Sequence, residues 1–287
     1  MENKNLITGL ETSLDIPEGV REIMPNAFYG FNFIEELNLP ASLEKFSPDA
    51  ARGGINDRYG HSPKVNIHED NPYYLSLNEY IYTKDIKQLL FCPRSCFFYT
   101  LRMLDVCEEI GERACCYGSY NKVIFSKSLK RISKEAFEGA FIKELEIPGN
   151  VELQEGTFKD AIILQTRLDL KNKIIPKKCF AGASPISNVR LYETYIIDDE
   201  AFNGARIRKI YIPPNTKLGK KVFEEDCAPI IGGAIGSEAE MYAVENNMSF
   251  AVVDNNDDAI EEFFNHTYED KELLHIKQFK ENKIFEF

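Results

Sequence analysis

Tryptophan is absent from the 287 residues, histidine occurs only 4 times, and no apolar run approaches the roughly 20 residues that cross a bilayer. Positive charge is scarce as well. Lys and Arg total 34 against 46 Asp and Glu, a net charge of −12, and no Lys/Arg-rich run stands out. Nucleic acid and anionic membrane are therefore not the expected partners, and no membrane insertion is expected. The opening MENKNLITGLETSLDIPEG has no basic stretch followed by an apolar one, so it does not read as a secretory signal. The expectation is a cytoplasmic protein, or a cell-surface one if a leader has been removed. The 7 cysteines, at 92, 96, 107, 115, 116, 179 and 227, form no C-x-x-C pair and are odd in number. They are expected as reduced, mostly buried fillers rather than as zinc ligands or disulfides.

Catalytic signatures are missing too. G-x-S-x-G, the P-loop and H-E-x-x-H do not occur. The glycines of GGAIGS (232–237) precede a helical stretch but lack the lysine of a phosphate cradle. His61 and His68, with Asp57 and Glu69, have ligand-type side chains but read as solvated loop residues, and Cys115-Cys116 reads as core. No cofactor, no metal and no enzymatic activity are expected.

What the chain does have is a repeat. AFYG, AFEGA, TFKDA, CFAGA and AFNGA recur, with anchors at Phe28, Ala51, Cys115, Phe137, Phe158, Phe180, Phe202 and Phe223. From Cys115 onward the steps are 22, 21, 22, 22 and 21 residues. An aliphatic stands four positions before the residue preceding several anchors: Ile23, Ile110, Ile132 and Ile197. Further back lies an alternating doublet: Leu14/Ile16, Leu37/Leu39, Val123/Phe125, Leu145/Ile147, Leu168/Leu170, Val189/Leu191 and Ile210/Ile212. The doublet is the period-2 mark of a strand with one inward face. Proline often follows and ends it, because it donates nothing to the next ladder bond. A unit of this size cannot enclose its own apolar face, whereas stacked copies enclose a continuous core with the Phe residues as a spine. A motif used this often is architecture rather than chemistry.

A 21–23-residue period is that of a leucine-rich repeat solenoid. The expected fold is mostly β, with short helical or irregular returns, a short C-terminal α/β cap and a helical tail. The pattern LxIPxxVxxIxxxAFxG resembles the BspA-like (surface-antigen-type) leucine-rich repeat family. NPYYLSLNEYIYTKDIKQLLFCPRS (71–95) resembles the hairpin insertion of such proteins, and GSEAEMYAVENNMSF (236–250) resembles their closing segment. The resemblance implies a non-enzymatic module for protein binding, adhesion or surface attachment. Two other readings are a surface adhesin or antigen proper, and a carbohydrate-active enzyme on a β-solenoid. The latter suits three strands per coil better than one doublet and one Ala-Phe return.

The solenoid is expected over 1–253, with the insertion at about 55–100 and the closing segment at 228–253. The insertion should hold a hairpin turning near Lys84-Asp85. In the closing segment Ser237 is placed to cap a short helix, with Glu240 completing a capping box, before a last strand SFAVVD. Residues 254–287 form an acidic tail, with ten Asp/Glu against four Lys. Its apolar spacing at Ile260, Phe263 and Phe264, then Leu273, Leu274 and Phe279, is helical. It is expected to pack on the last repeat or to dock on a partner.

Residues flanking each inward doublet project outward from the strand face. In the later repeats this brings together Arg167, Asp169, Arg190, Tyr192, Lys209 and Tyr211, a basic and aromatic patch on an acidic chain. Arg and Tyr are enriched where binding energy concentrates, so these six are the candidate partner-binding residues. The plain alternative is that long side chains simply cover a sheet face, with Asp169 and Glu146 as their ion-pair partners.

Overall fold

The computed structural model describes residues 12–29, 34–51, 63–92 and 99–268. The expectations that fall on Asp57, His61, Cys96, Leu273, Leu274 and Phe279 lie outside them. By internal contacts the chain divides into two units, Met1–Ile142 and Lys143–Phe287. Each is a stack of parallel β coils, the leucine-rich repeat solenoid that the period predicts.

In the first unit the doublets lie side by side. Strands Ser13–Asp15, Glu36–Leu39 and Lys64–Ile67 pair in parallel, with Leu14, Leu37 and Val65 in register. All three are buried, because the period-2 pleat turns them to the same side. Their outward neighbours form a polar ladder: the Asn38 amide donates to Asp15 Oδ1 at 2.6 Å, and that of Asn66 donates to Asn38 Oδ1 at 2.7 Å.

The aliphatic that precedes each anchor is more ordered than a simple return. Gln88–Phe91, Glu109–Ile110 and Arg131–Ile132 form a second parallel ladder, with Leu89, Ile110 and Ile132 aligned and buried. Each coil thus carries two strands, the second only two residues long in most repeats. Two residues leave no period to read.

The insertion turns at Lys84-Asp85 as expected, joining Tyr80–Thr83 to Gln88–Phe91 in antiparallel. A further strand, Tyr74–Leu77, precedes it and pairs with Tyr80–Thr83. Asn78 and Glu79 join these two, at φ 53° and 69°, the backbone of a tight two-residue hairpin turn. Asn71 holds the insertion to the coil before it. Fully buried, its amide donates to the Leu43 carbonyl at 2.9 Å and the Pro40 carbonyl at 3.1 Å. Its Oδ1 accepts from the Tyr73 and Tyr74 N–H groups. A turn whose carbonyls would be orphaned inside the protein is thereby satisfied.

The anchors are locked coil to coil by backbone. The N–H groups of Phe28, Cys115, Phe158, Phe180 and Phe202 donate to the carbonyls of Ala50, Ala136, Cys179, Ala201 and Val222, at 2.8–3.0 Å. Each acceptor immediately precedes the next anchor. The slots filled by Ala51 and Cys115 therefore keep the same register as those filled by Phe. The Gly two places after the anchor is there for its backbone: Gly182 and Gly204 have φ of 71° and 70°, a region costly for other residues.

In the second unit the strands Arg167–Leu170, Ile186–Leu191, Ile207–Tyr211, Ile230–Gly233 and Phe250–Val252 form one parallel sheet. Behind it Phe158, Phe180, Phe202 and Phe223 stack face to face, with centroids 5.2, 5.4 and 5.8 Å apart and planes within 15°. Tyr242, from the closing helix α1 (Glu238–Glu245), meets the end of this column edge-on. Ser237 caps α1 by accepting from the Glu240 N–H. The Glu240 carboxylate reaches one residue further back than a capping box requires, to the Gly236 N–H at 2.6 Å. The strand expected from SFAVVD, Phe250–Val252, covers the edge left by Ile230–Gly233. A second helix, α2 (Asp257–Asn265), follows.

Candidate functional site

Helix α2 lies across the outward face of the second unit's sheet. Its start is set by Asn256, whose side-chain oxygen accepts from the Ala259 N–H at 2.9 Å. Asp257 and Asp258 in the first turn complement the helix dipole. Ile260, Phe263 and Phe264, at i, i+3 and i+4, are the buried stripe, as their spacing predicts.

That stripe packs against Tyr211, Ala251 and Val253. Tyr211, Gly232 and Ala251 are in register on adjacent strands, one outward column in which two small residues follow a large one. Gly232 has no side chain because there is no room for one: a Cβ there would lie 2.8 Å from Phe263 Cζ. The first glycine of GGAIGS is thus a seat for an aromatic ring.

Polar contacts fix the two ends of the helix. Toward its start, the Arg190 guanidinium pairs with Asp257 and, at 3.3 Å, with Glu261. Arg167 reaches Glu261 at 2.6 Å and Asp169 at 2.8 Å, and lies over the Phe264 ring at 5.5 Å. Burial works against the Arg167 charge. The hydrogen bonds to Asp169, Glu261 and Tyr192 outweigh it and hold the guanidinium well above its ordinary pKa. Tyr211 donates from its hydroxyl to Asn255 Oδ1 at 2.8 Å.

At the far end Lys209 is almost fully enclosed. Its Nζ donates to the carbonyls of Phe263 at 2.7 Å, Phe264 at 3.1 Å, and His266. The last carbonyls of a helix have no partner within it, and a lysine at that end satisfies them. Burial, followed by the nearby Arg208, draws the Lys209 pKa below the usual lysine value.

The six candidate residues are therefore gathered on one face. Arg167, Asp169, Arg190, Lys209 and Tyr211 occupy adjacent positions in the ladder, and Tyr192 lies under the Arg190 guanidinium at 4.4 Å. Pleat alone would leave the outward residues exposed. Arg190, Lys209 and Tyr211 are instead buried, because α2 covers them. The tail does not pack simply on the last repeat, since its contacts reach back to Arg167. Sequence reasoning did not single out Gly232, Ala251, Asn255, Asp257 or Glu261 for this site. The run of small outward residues beside Tyr211 is the signal that marks a covered face.

Beside the start of α2 opens a cleft of about 1240 Å³, lined in part by Lys171, Lys173, Arg190, Tyr192, Asn255 and Asp257. Elsewhere, Cys92, Cys107, Cys115, Cys116 and Cys179 are buried thiols outside any disulfide, in the filler role expected of them. Among the described residues no cluster of His, Cys, Asp or Glu is placed to hold a metal, and no helix is long and apolar enough to cross a membrane.

A family profile described as the BspA type leucine rich repeat region matches 6 copies, over residues 8–56 and 108–229, more than half of the chain. A search of curated proteins returns no match. Two solved structures are similar in fold. A leucine-rich repeat protein from Eubacterium ventriosum aligns at 16% identity and a TM-score of 0.51, covering 70% of this chain and 56% of that one. The pneumococcal vaccine antigen PcpA aligns at 16% identity and a TM-score of 0.61, covering 83% of this chain and 60% of that one. The chain thus spans somewhat more than half the length of each.

Proposed function

The chain belongs to the BspA type leucine-rich repeat family, and on that premise we propose that it is a non-enzymatic protein-interaction module whose partner sits on the strand face around Arg167–Tyr211. The observation that carries the reading is the way this face holds a helix. Arginines meet its acidic side chains, a column of Tyr211, Gly232 and Ala251 receives its rings, and Lys209 receives its terminal carbonyls. Such a surface has the parts of a peptide-binding groove, namely apolar seats with charged clamps at their rim.

The test is affinity capture from the host's lysate and surface extract, followed by measurement of the affinity of each retained protein after purification. Wild type is compared with Lys171→Glu/Tyr192→Ser, two positions on the cleft beside the helix. The proposal expects a retained protein whose affinity falls at least about tenfold, some 1.4 kcal/mol, in a variant of unchanged melting temperature. Equal retention by both would move the site elsewhere, and no retained protein would remove the protein-binding reading.

A second reading, a surface antigen or adhesin, is favoured by the description of the pneumococcal relative as a vaccine antigen. Cell fractionation with surface labelling separates it from a cytoplasmic module.

A further inference from the structure

We propose that residues 255–268 are an internal ligand of the strand face, and that the partner presents an acidic, amphipathic helix that takes their place. This deepens the protein-binding reading above and rests on it.

Three observations carry it. First, the face answers three kinds of group on its occupant: Arg167 and Arg190 meet carboxylates, Tyr211, Gly232 and Ala251 meet aromatic rings, and Lys209 meets the carbonyls at a helix end. A basic site on a chain of net charge −12 selects an acidic segment.

Second, the occupant is held in a way that permits exchange. α2 has 9 residues, below the length of about 12–15 at which a helix is even marginally stable alone. Its order therefore comes from the face, and undocking releases the entropy lost in ordering it. The carboxylate on Arg190 belongs to Asp257, which is 87% exposed, so another carboxylate can approach the same guanidinium from solvent.

Third, the fit is incomplete. Asn188 Oδ1 and Arg190 Nε are buried on the covered face without a hydrogen-bond partner. Buried polar atoms are normally paired, so an incoming segment that satisfied these two would out-compete the resident one. The cleft beside the start of α2, with Lys171 and Lys173 in its lining, is the open approach for it.

The test uses the full chain and, as probe, a fluorescently labelled synthetic peptide of residues 254–268, followed by anisotropy. Asp257→Lys/Glu261→Lys reverses the charges that meet the arginines and releases the tail without touching the core. Phe263→Ser releases it by a second route, so the test does not hang on either variant folding. The peptide is expected to bind both released chains at least about tenfold more tightly than wild type, in which the site is already filled. Adding Arg190→Glu to either variant should abolish the gain.

Equal binding to wild type and released chains would overturn the proposal, as would no binding to folded released chains. Light scattering supplies the remaining outcome. Released chains that stay monomeric support a separate partner, while dimers with the tail docked in trans would overturn it in favour of a second copy. Peptide binding that fails while captured proteins are still lost on Lys171→Glu/Tyr192→Ser would remove this inference and leave the interaction reading intact.

Discussion

Arg190 and Asp257 form an ion pair whose members live in different solvents: the Arg190 side chain is 7% exposed, that of Asp257 87%. The arginine is an outward residue of the sheet that has been enclosed, whereas the aspartate stands at the edge of the helix enclosing it. The two ends of this pair should respond differently to mutation. Asp257→Asn is expected to cost under about 1 kcal/mol, as for surface pairs generally. Arg190→Ala also loses Glu261 and the Tyr192 ring, and is expected to cost about 1–3 kcal/mol. Urea denaturation of the two variants measures the difference, and equal costs would show that the arginine is not buried as described.

Lys209→Met keeps most of the apolar stem and removes the ammonium. The carbonyls of Phe263 and Phe264 then lose their donor, an expected loss of about 1–3 kcal/mol in the docking of α2. Proteolysis at the tail reports it. The variant should be nicked between 254 and 268 faster than wild type, with the rest of the second unit intact. Because the Lys209 contact is enclosed, 1 M salt should weaken it less than the contact at the exposed Asp257.

The phenylalanine column carries the stack. Phe180→Ala removes a ring sandwiched between Phe158 and Phe202, and is expected to cost about 3–5 kcal/mol through the cavity left behind. Phe137→Ala, edge-on to Tyr120 and Phe125, should cost a similar amount. A melting temperature unchanged in either variant would contradict the structural role given to the motif.

Gly204→Ala separates backbone from packing. The nearest atom to an added Cβ is 3.4 Å away, so the expected cost of about 1–2 kcal/mol comes from its φ of 70°. At Gly182 a Cβ would in addition meet Asp160 Oδ1 at 2.1 Å. Gly182→Ala should therefore be the more destabilising of the two in parallel melts, unless the Asp160 carboxylate swings clear.

The doublets and anchors were legible because they recur: a position such as Leu168 is one of many chances to see the same inward face. The second strand of each coil was not, since Ile196–Ile197 is two residues long and alternation needs more. Nor was its partner, the left-handed position two residues before the anchor. Asn26, Lys178 and Glu200 stand there with φ near 60°, and their residue types do not announce it. The patch and the tail were each visible, Arg190 by its outward position and Phe263 by its helical spacing. What joined them was not, because pleat tells which way a side chain points but not what lies above it. The opposed charges of Arg167 and Glu261 were the available hint.

The most direct measurement is native-state hydrogen exchange of the amides of Glu261–His266 in wild type and Arg190→Ala. If the strand face holds this helix, these amides are protected in wild type. In the variant they exchange faster, while those of Leu168, Val189 and Ile210 keep their protection. Exchange in wild type at the rate of a free peptide would contradict the account, because the helix would then not be resting on the face that has been described as its seat.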